Sequence, residues 1–224
     1  MTHHEFKDFV VQTLGEKVKE QGATLYSSFD TLKKGKLYIL GLNPGGSSGL
    51  TIEDSLERIK DPDYNEYTME WDKYKAGDHP LQRNIKAITH QFNLDVRDVI
   101  ASNLIFTRSI DQNGAGYTNR KDFWPVHARI LQIVQPQIIV AFGNGAISPY
   151  QHLRDISKNV SATDSIESGH GKFTCVSFRG EIENQLFTVI GLPHLSRYHL
   201  YTDNPIKKQV LSWIKDKVEK PPPG

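Results

Sequence analysis

An α/β fold with a central, mostly parallel sheet is predicted by three features of the sequence. Residues Ile138-Ile139-Val140-Ala141-Phe142 form an unbroken apolar run, as expected of a strand covered on both faces. Strand-like runs alternate with helical periodicities along the chain instead of gathering at one end. The first strand, Leu37-Tyr38-Ile39-Leu40, leads directly into Gly41-Leu42-Asn43-Pro44-Gly45-Gly46-Ser47-Ser48-Gly49. That places a Gly/Ser/Pro loop at the carboxyl end of a strand, where ligands bind in open α/β sheets. The architecture expected is three-layered, α/β/α, with four or more strands.

Residues 5–20 read as an amphipathic helix with Phe6, Phe9, Val10, Leu14 and Val18 on one face. The first strand covers about 36–41. A helix is expected at 52–60, then the turn Asp61-Pro62-Asp63-Tyr64 and a short helix around 66–75. Residues 81–93 look helical, with Ile85, Ile88 and Phe92 inward. Val99 to Phe106 reads as a second strand, and Asp111 to Gly116 as an exposed turn. The helix from Trp124 to Val134 ends at Gln135-Pro136, because a residue before proline is pushed out of the α region. Segments 172–178 and 185–192 read as strands of a hairpin joined by residues 179–184. A last helix, 205–218, carries Ile206, Val210, Leu211, Ile214 and Val218 inward. No repeat is present, so residues 1–220 are expected to form one domain, with Pro221-Pro222-Pro223-Gly224 a disordered tail.

At 224 residues, the chain is long enough for one well-buried core. Its 27 basic and 26 acidic residues leave a net charge of +1, which neither indicates nor excludes nucleic acid, since a local basic face suffices. No stretch approaches the ~18 consecutive apolar residues of a membrane span. Met1-Thr2-His3-His4-Glu5 lacks the character of a signal peptide. A cytoplasmic monomer with no membrane partner is expected. Cys175 is the only cysteine, which excludes an internal disulfide, a thiolate zinc site and a cysteine-held iron–sulfur cluster. The nine histidines form no HExxH pair, and no metal or other cofactor is expected.

Four polar loops follow apolar strands in a fixed order. They are Gly41-Leu42-Asn43-Pro44-Gly45, Ser102-Asn103-Leu104-Ile105-Phe106, Ala141-Phe142-Gly143-Asn144-Gly145-Ala146 and Pro193-His194-Leu195-Ser196-Arg197-Tyr198. In this order they resemble the uracil-DNA glycosylase superfamily, over about residues 36–200. The first loop is similar to the G-x-N-P-G form of the mismatch-specific and single-strand-selective branches. His194-Leu195-Ser196 resembles the H-P-S loop, with Leu in place of Pro. The resemblance implies a DNA glycosylase that flips out a uracil-like or modified base and hydrolyses its glycosidic bond without a cofactor. It makes Asn43 and His194 the catalytic pair and sets Asn103 against the base edge. Gly41, Leu42, Pro44 and Gly45 would shape the substrate site. Ser47, Ser48, Ser196 and Arg197 would contact DNA, and Tyr198 would wedge into the duplex.

The chemistry of those residue types agrees. Breaking the glycosidic bond leaves an oxocarbenium-like sugar and an anionic base. His194 can donate to that developing charge, and losing one such donor typically costs ~3–4 kcal/mol of transition-state stabilisation. Asn43 can position water or sugar but takes no proton near neutral pH. The amide of Asn103 offers a donor and an acceptor together, suiting the Watson–Crick edge of an extruded base.

The sequence also departs from the family. Uracil-specific members place an aromatic about a dozen residues beyond the first motif, whereas this chain has Glu53-Asp54-Ser55-Leu56-Glu57. Tyr64, Tyr67, Trp71 or Tyr74, in what reads as an insertion, is left as the stacking platform, and a bulkier base than uracil stays open. Tyr67, Trp71 and Tyr74 equally fit a helical packing face. Asn43-Pro44 fits an ordinary turn, Asn103 a core amide, and His194 a surface histidine. Two other functions are open. One is a non-catalytic DNA- or nucleotide-binding protein on the same fold. The other reads Gly45-Gly46-Ser47-Ser48-Gly49 as G-x-S-x-G, an esterase with Ser47 as nucleophile, Asp155 or Asp164 as acid and His194 as base. Asn43-Pro44 between strand and serine speaks against that elbow.

Overall fold

Six strands form one sheet in the computed structural model, which describes residues 1–46, 49–71, 73–109 and 116–219, the side chains of 218 and 219 apart. The strands are Leu37–Gly41 (β1), Ile100–Asn103 (β2), Ile138–Phe142 (β3), Asp164–His170 (β4), Phe173–Ile182 (β5) and Gln185–Leu192 (β6). Their order is β2-β1-β3-β6-β5-β4. The first four in that order run parallel, and β5 and β4 are antiparallel additions at one edge. The helices are His3–Leu14 (α1), Ile52–Arg58 (α2), Pro80–Gln91 (α3), Arg120–Val134 (α4), Pro149–Ile156 (α5) and Pro205–Glu219 (α6). The mostly parallel α/β/α sandwich expected from the sequence is the one observed.

Strand alternation sends each strand's side chains into two cores. Tyr38, Leu40, Ile139 and Ala141 face one side, where α1, α2, α4 and α5 pack. Leu37, Ile39, Ile138, Val140 and Phe142 face the other, under α3 and α6. Capping residues fix where helices start. Thr2 with Glu5, and Thr51 with Asp54, make reciprocal capping boxes at α1 and α2. At α3 the cap is His79, with Pro80 at the first helical position.

Several boundaries differ from the sequence reading. The first helix stops at Leu14 and continues to Lys19 only as a tighter 3-10 segment. The helix expected at 66–75 is a single 3-10 turn, Glu66–Thr68, followed by irregular chain in which Trp71 and Tyr74 pair. The regular part of the second strand ends at Asn103, but Leu104 and Ile105 still donate to the carbonyls of Gly41 and Leu42. Residues 179–182 are strand, not turn, because pairing with β6 carries through to Ile182. The reversal is the two-residue Glu183-Asn184, both at positive φ. Strand β4 and helix α5 were not foreseen; β4 is a polar edge strand without an apolar run. In α6, Val210 and Ile214 are buried, whereas Ile206 is exposed. Residues 111–115 of the expected turn, the tail at 221–224 and the side chain of Val218 lie outside the described residues.

His127 of α4 pins this helix to the sheet. Its Nε2 donates to the Leu104 carbonyl at 3.2 Å, so Nδ1 accepts from the Tyr38 hydroxyl at 2.8 Å. Burial pushes its pKa down to about 3. The folded protein therefore holds His127 neutral while the unfolded chain protonates it below about pH 6.5. The stability this contributes is complete above pH 6.5 and drains away as pH falls toward 3. Urea unfolding between pH 6.5 and 5 is expected to show stability falling by up to ~1.4 kcal/mol per pH unit from this group. His127→Gln should be less stable at pH 7.5 yet lose that part of the slope. An unchanged slope in the variant would contradict the assignment.

Candidate functional site

Because β1, β2, β3 and β6 run parallel, their carboxyl ends meet along one edge of the sheet. A cavity of about 930 Å³ opens there. Leu42, Asn43, Gly45 and Gly46 reach it from the loop after β1, Asn103 from the end of β2, and Phe142 to Gly145 from the loop after β3. Pro193, His194, Ser196 and Arg197 reach it from the loop after β6. Four loops scattered over the sequence thus share one wall. Gly41 and Pro44 frame this wall without lining it, and Ser47 and Ser48 lie outside the described residues.

Gly41 lies in register with Asn103. A Cβ on Gly41 would stand 2.2 Å from Asn103 Oδ1 and 2.5 Å from Phe142 Cζ. Only glycine lets these two side chains close over the end of β1. The amide of Asn103 is buried, and the Tyr26 hydroxyl lies near it. Burial, and then the Glu66 carboxylate, pushes the Tyr26 pKa up to about 12, so the phenol stays neutral. Tyr26 is held by its backbone N–H donating to the Ala101 carbonyl of β2 at 2.8 Å. Sequence reasoning missed this residue, since residues 22–27 touch the sheet only through isolated bridges.

The Asn43 amide is fixed in orientation. Its Nδ2 donates to the Pro44 carbonyl at 2.9 Å, to Ser109 Oγ at 2.9 Å and to the Ser109 carbonyl at 3.4 Å. Two of those three partners are carbonyls, which only accept, so the nitrogen must face them and Oδ1 is the acceptor end. The Ser109 N–H donates in turn to the Pro44 carbonyl at 3.1 Å, and the Arg108 guanidinium to the Gly45 carbonyl. The chain after β2 therefore braces the loop after β1.

The tautomer of His194 follows from its neighbours. The Ser196 backbone N–H donates to His194 Nδ1 at 3.3 Å, and Ser196 Oγ lies 2.8 Å from the same nitrogen. An N–H pointing at Nδ1 requires that atom to be unprotonated, which leaves the proton of the neutral ring on Nε2. The residue is solvent-accessible as a whole, yet its ring meets Phe142 edge-to-face at 6.0 Å. Desolvation, and then the Arg197 guanidinium, lowers its pKa. Buried Asn84 of α3 anchors the whole loop. Its Nδ2 donates to the carbonyls of Leu195 and Tyr198, both at 2.6 Å, and its Oδ1 accepts from the N–H groups of Leu200 and Tyr201.

Tyr198 is not a wedge. Its side chain is completely buried, with the hydroxyl against the Cys175 thiol, so it supports the loop from beneath. The resemblance put Tyr198 at the wedge position, but the chain folds it inward. Cys175 is a buried free thiol.

Of the four aromatics considered as platforms, Tyr64, Tyr67 and Trp71 line the cavity and Tyr74 does not. Glu66 organises them: its carboxylate accepts from Arg58 at 3.0 Å, from the Tyr64 hydroxyl at 3.0 Å and from Trp71 Nε1 at 2.7 Å. Phe142, read from the sequence as ordinary strand core, also presents its ring to the cavity. Its place as the last residue of an apolar run before Gly143 was the available signal.

Ser47, the nucleophile of the esterase reading, lies outside the described residues, and its expected acid and base are engaged elsewhere. His194 Nδ1 is engaged by Ser196, Asp155 accepts from Gln151 at 2.7 Å, and Asp164 is bound by Lys217 and Trp213. Among the described residues, no cluster of three or more His, Cys, Asp or Glu has the arrangement to hold a metal, and no helix is long and apolar enough to cross a membrane. Neither a protein-family model nor a curated protein sequence matches the chain.

Two outcomes follow from the geometry of the His194 loop. Histidine NMR should place the His194 titration below the ordinary value near 6.5, and Arg197→Gln should move it upward. An unshifted or lower value in the variant would contradict the electrostatic link. Asn84→Ala strands several buried groups and is expected to cost about 2–4 kcal/mol in urea unfolding. A loss within 0.5 kcal/mol, roughly that of a surface substitution, would show that Asn84 does not hold the loop.

Proposed function

We propose that the protein is a monofunctional DNA N-glycosylase acting on a uracil-like or modified base, a cytoplasmic monomer whose partner is DNA. One observation carries the reading: a neutral histidine protonated on Nε2, a buried amide and an oriented asparagine acceptor line the same cavity. Phe142 and the Tyr64–Trp71 segment supply apolar and aromatic walls for a planar ring.

In the reaction the C1′–N bond breaks and its electron pair leaves with the base. His194 Nε2–H donates to the oxygen on which that charge collects, and the Asn103 amide pairs with the base edge. Asn43 Oδ1 accepts a hydrogen bond from water, aiming its oxygen at C1′ as the oxocarbenium character grows. Water adds to C1′ and gives a proton to solvent, the departed base anion takes one up, and the products are an abasic site and the free base. Electrostatic stabilisation and positioning carry the rate, since no strong base is needed against so electrophilic a carbon.

Oligonucleotides carrying uracil, hypoxanthine, xanthine or 5-substituted pyrimidines, scored for abasic sites, test the reading. Cleavage of at least one is expected. His194→Ala and Asn43→Ala should each lower single-turnover cleavage by about 10²–10³-fold while changing DNA affinity little. If no base is released while His194→Ala binds DNA as the parent does, the protein is a binding module on this fold and the catalytic reading falls.

A further inference from the structure

The mouth of the cavity is apolar in a way the fold does not need. Of the seven large hydrophobic residues exposed among the described residues, Leu50, Ile147 and Phe173 all line it, at 38%, 40% and 53% exposure. Concentrated exposed apolar surface around a cavity marks a place where something binds.

Phe173 is the most exposed of the three, and it is held in place. It opens β5, directly after the tight turn Gly171-Lys172 from β4, and its ring stacks on His170 at 5.6 Å and 22°. The β4–β5 pairing shifts register between Glu167 and His170, and such a bulge re-aims the side chains that follow it. Buried Ser168 stitches the bulge, donating to the Phe173 carbonyl at 2.5 Å and accepting from the His170 N–H at 3.1 Å. Gly169, at φ +66°, sits on Ile206 of α6, where a Cβ would come within 3.0 Å. The hairpin tip is thus seated on a helix, with its aromatic pair facing the cavity mouth. Exposed Lys172 at the tip and exposed Arg197 in the cavity wall add positive charge.

We infer that the β4–β5 hairpin tip is a base-stacking platform: Phe173 receives the face of the base next to the one held in the cavity. The partner is a single-stranded or locally opened DNA strand, whose bases offer planar apolar faces and whose phosphates meet Lys172 and Arg197. This rests on the glycosylase reading and extends it, because it assigns to the hairpin the stacking role that buried Tyr198 cannot fill.

The probe is an oligonucleotide with one 2′-fluoro-2′-deoxyuridine, which resists cleavage, flanked by the fluorescent base 2-aminopurine. The parent protein is expected to bind it and quench 2-aminopurine. Phe173→Ala should weaken binding by about 5- to 100-fold and abolish the quenching, and Phe173→Trp should restore both. Leu186→Ala, which truncates a residue 65% exposed and outside the cavity, should bind as the parent does. If the parent binds while Phe173→Ala keeps the same affinity and quenching, the platform is wrong and the glycosylase reading stands. If the parent binds no form of the probe, single-stranded or duplex, both fall.

Discussion

Gly41 ends β1 between β2 and β3, with Asn103 beside it in register and the Phe142 ring closing over it. The contact distances leave no room for even a methyl group, so the missing side chain at position 41 is the constraint on which the site depends. Across three parallel strands, it brings an amide with both donor and acceptor capacity next to an aromatic face. Phe142 in turn sets the His194 ring at an edge-to-face angle. A buried amide and a hydrogen-bond donor therefore share one wall although 91 residues separate them in the chain.

Loops at a sheet edge gain definition only when their backbone groups are satisfied, and here each loop is tied to its neighbours. Leu104 and Ile105 donate to the first loop, Ser109 and Arg108 brace it from the far side, and Asn144 joins the third loop to β5 and β6 through the carbonyls of Thr174 and Gly191. Asn84 does the same for the fourth loop from beneath. These contacts explain how a site built on loops holds side chains to a fixed geometry. Asn84 and Asn144 spend their amides on the scaffold, and Asn43 and Asn103 line the cavity.

How much of this was readable from the sequence depends on whether the deciding interaction was local. The unbroken run at 138–142 and the helical stripe at Phe6, Val10 and Leu14 reflect burial, which leaves a periodic trace, and both elements appear where that trace lies. Asn43, Asn103 and His194 were legible as a set because each stands at or just past the carboxyl end of a strand. Tyr198 went wrong for the opposite reason: its burial against Cys175 and under the Asn84-held loop is a tertiary outcome with no periodic signature. The polar edge strand β4 gave no trace because it pairs on one side only and carries few apolar residues. Helical spacing of Tyr67, Trp71 and Tyr74 was overridden by Glu66, whose carboxylate gathers Arg58, Tyr64 and Trp71 into irregular chain. Tyr26 and Ser109 reach the site from segments without regular structure.

The central claim is that the cavity holds an extruded nucleobase against His194 Nε2–H. Its most direct measurement is a ¹⁵N–¹H NMR titration of the imidazole with a non-cleavable oligonucleotide carrying one 2′-fluoro-2′-deoxyuridine, against the same oligonucleotide with a base-less tetrahydrofuran at that position. A base held on Nε2–H should shift the His194 Nε2–H signal strongly downfield and protect it from exchange with the uracil analogue alone. An Nε2–H signal that responds equally to both oligonucleotides, or to neither while the DNA is bound, would contradict it.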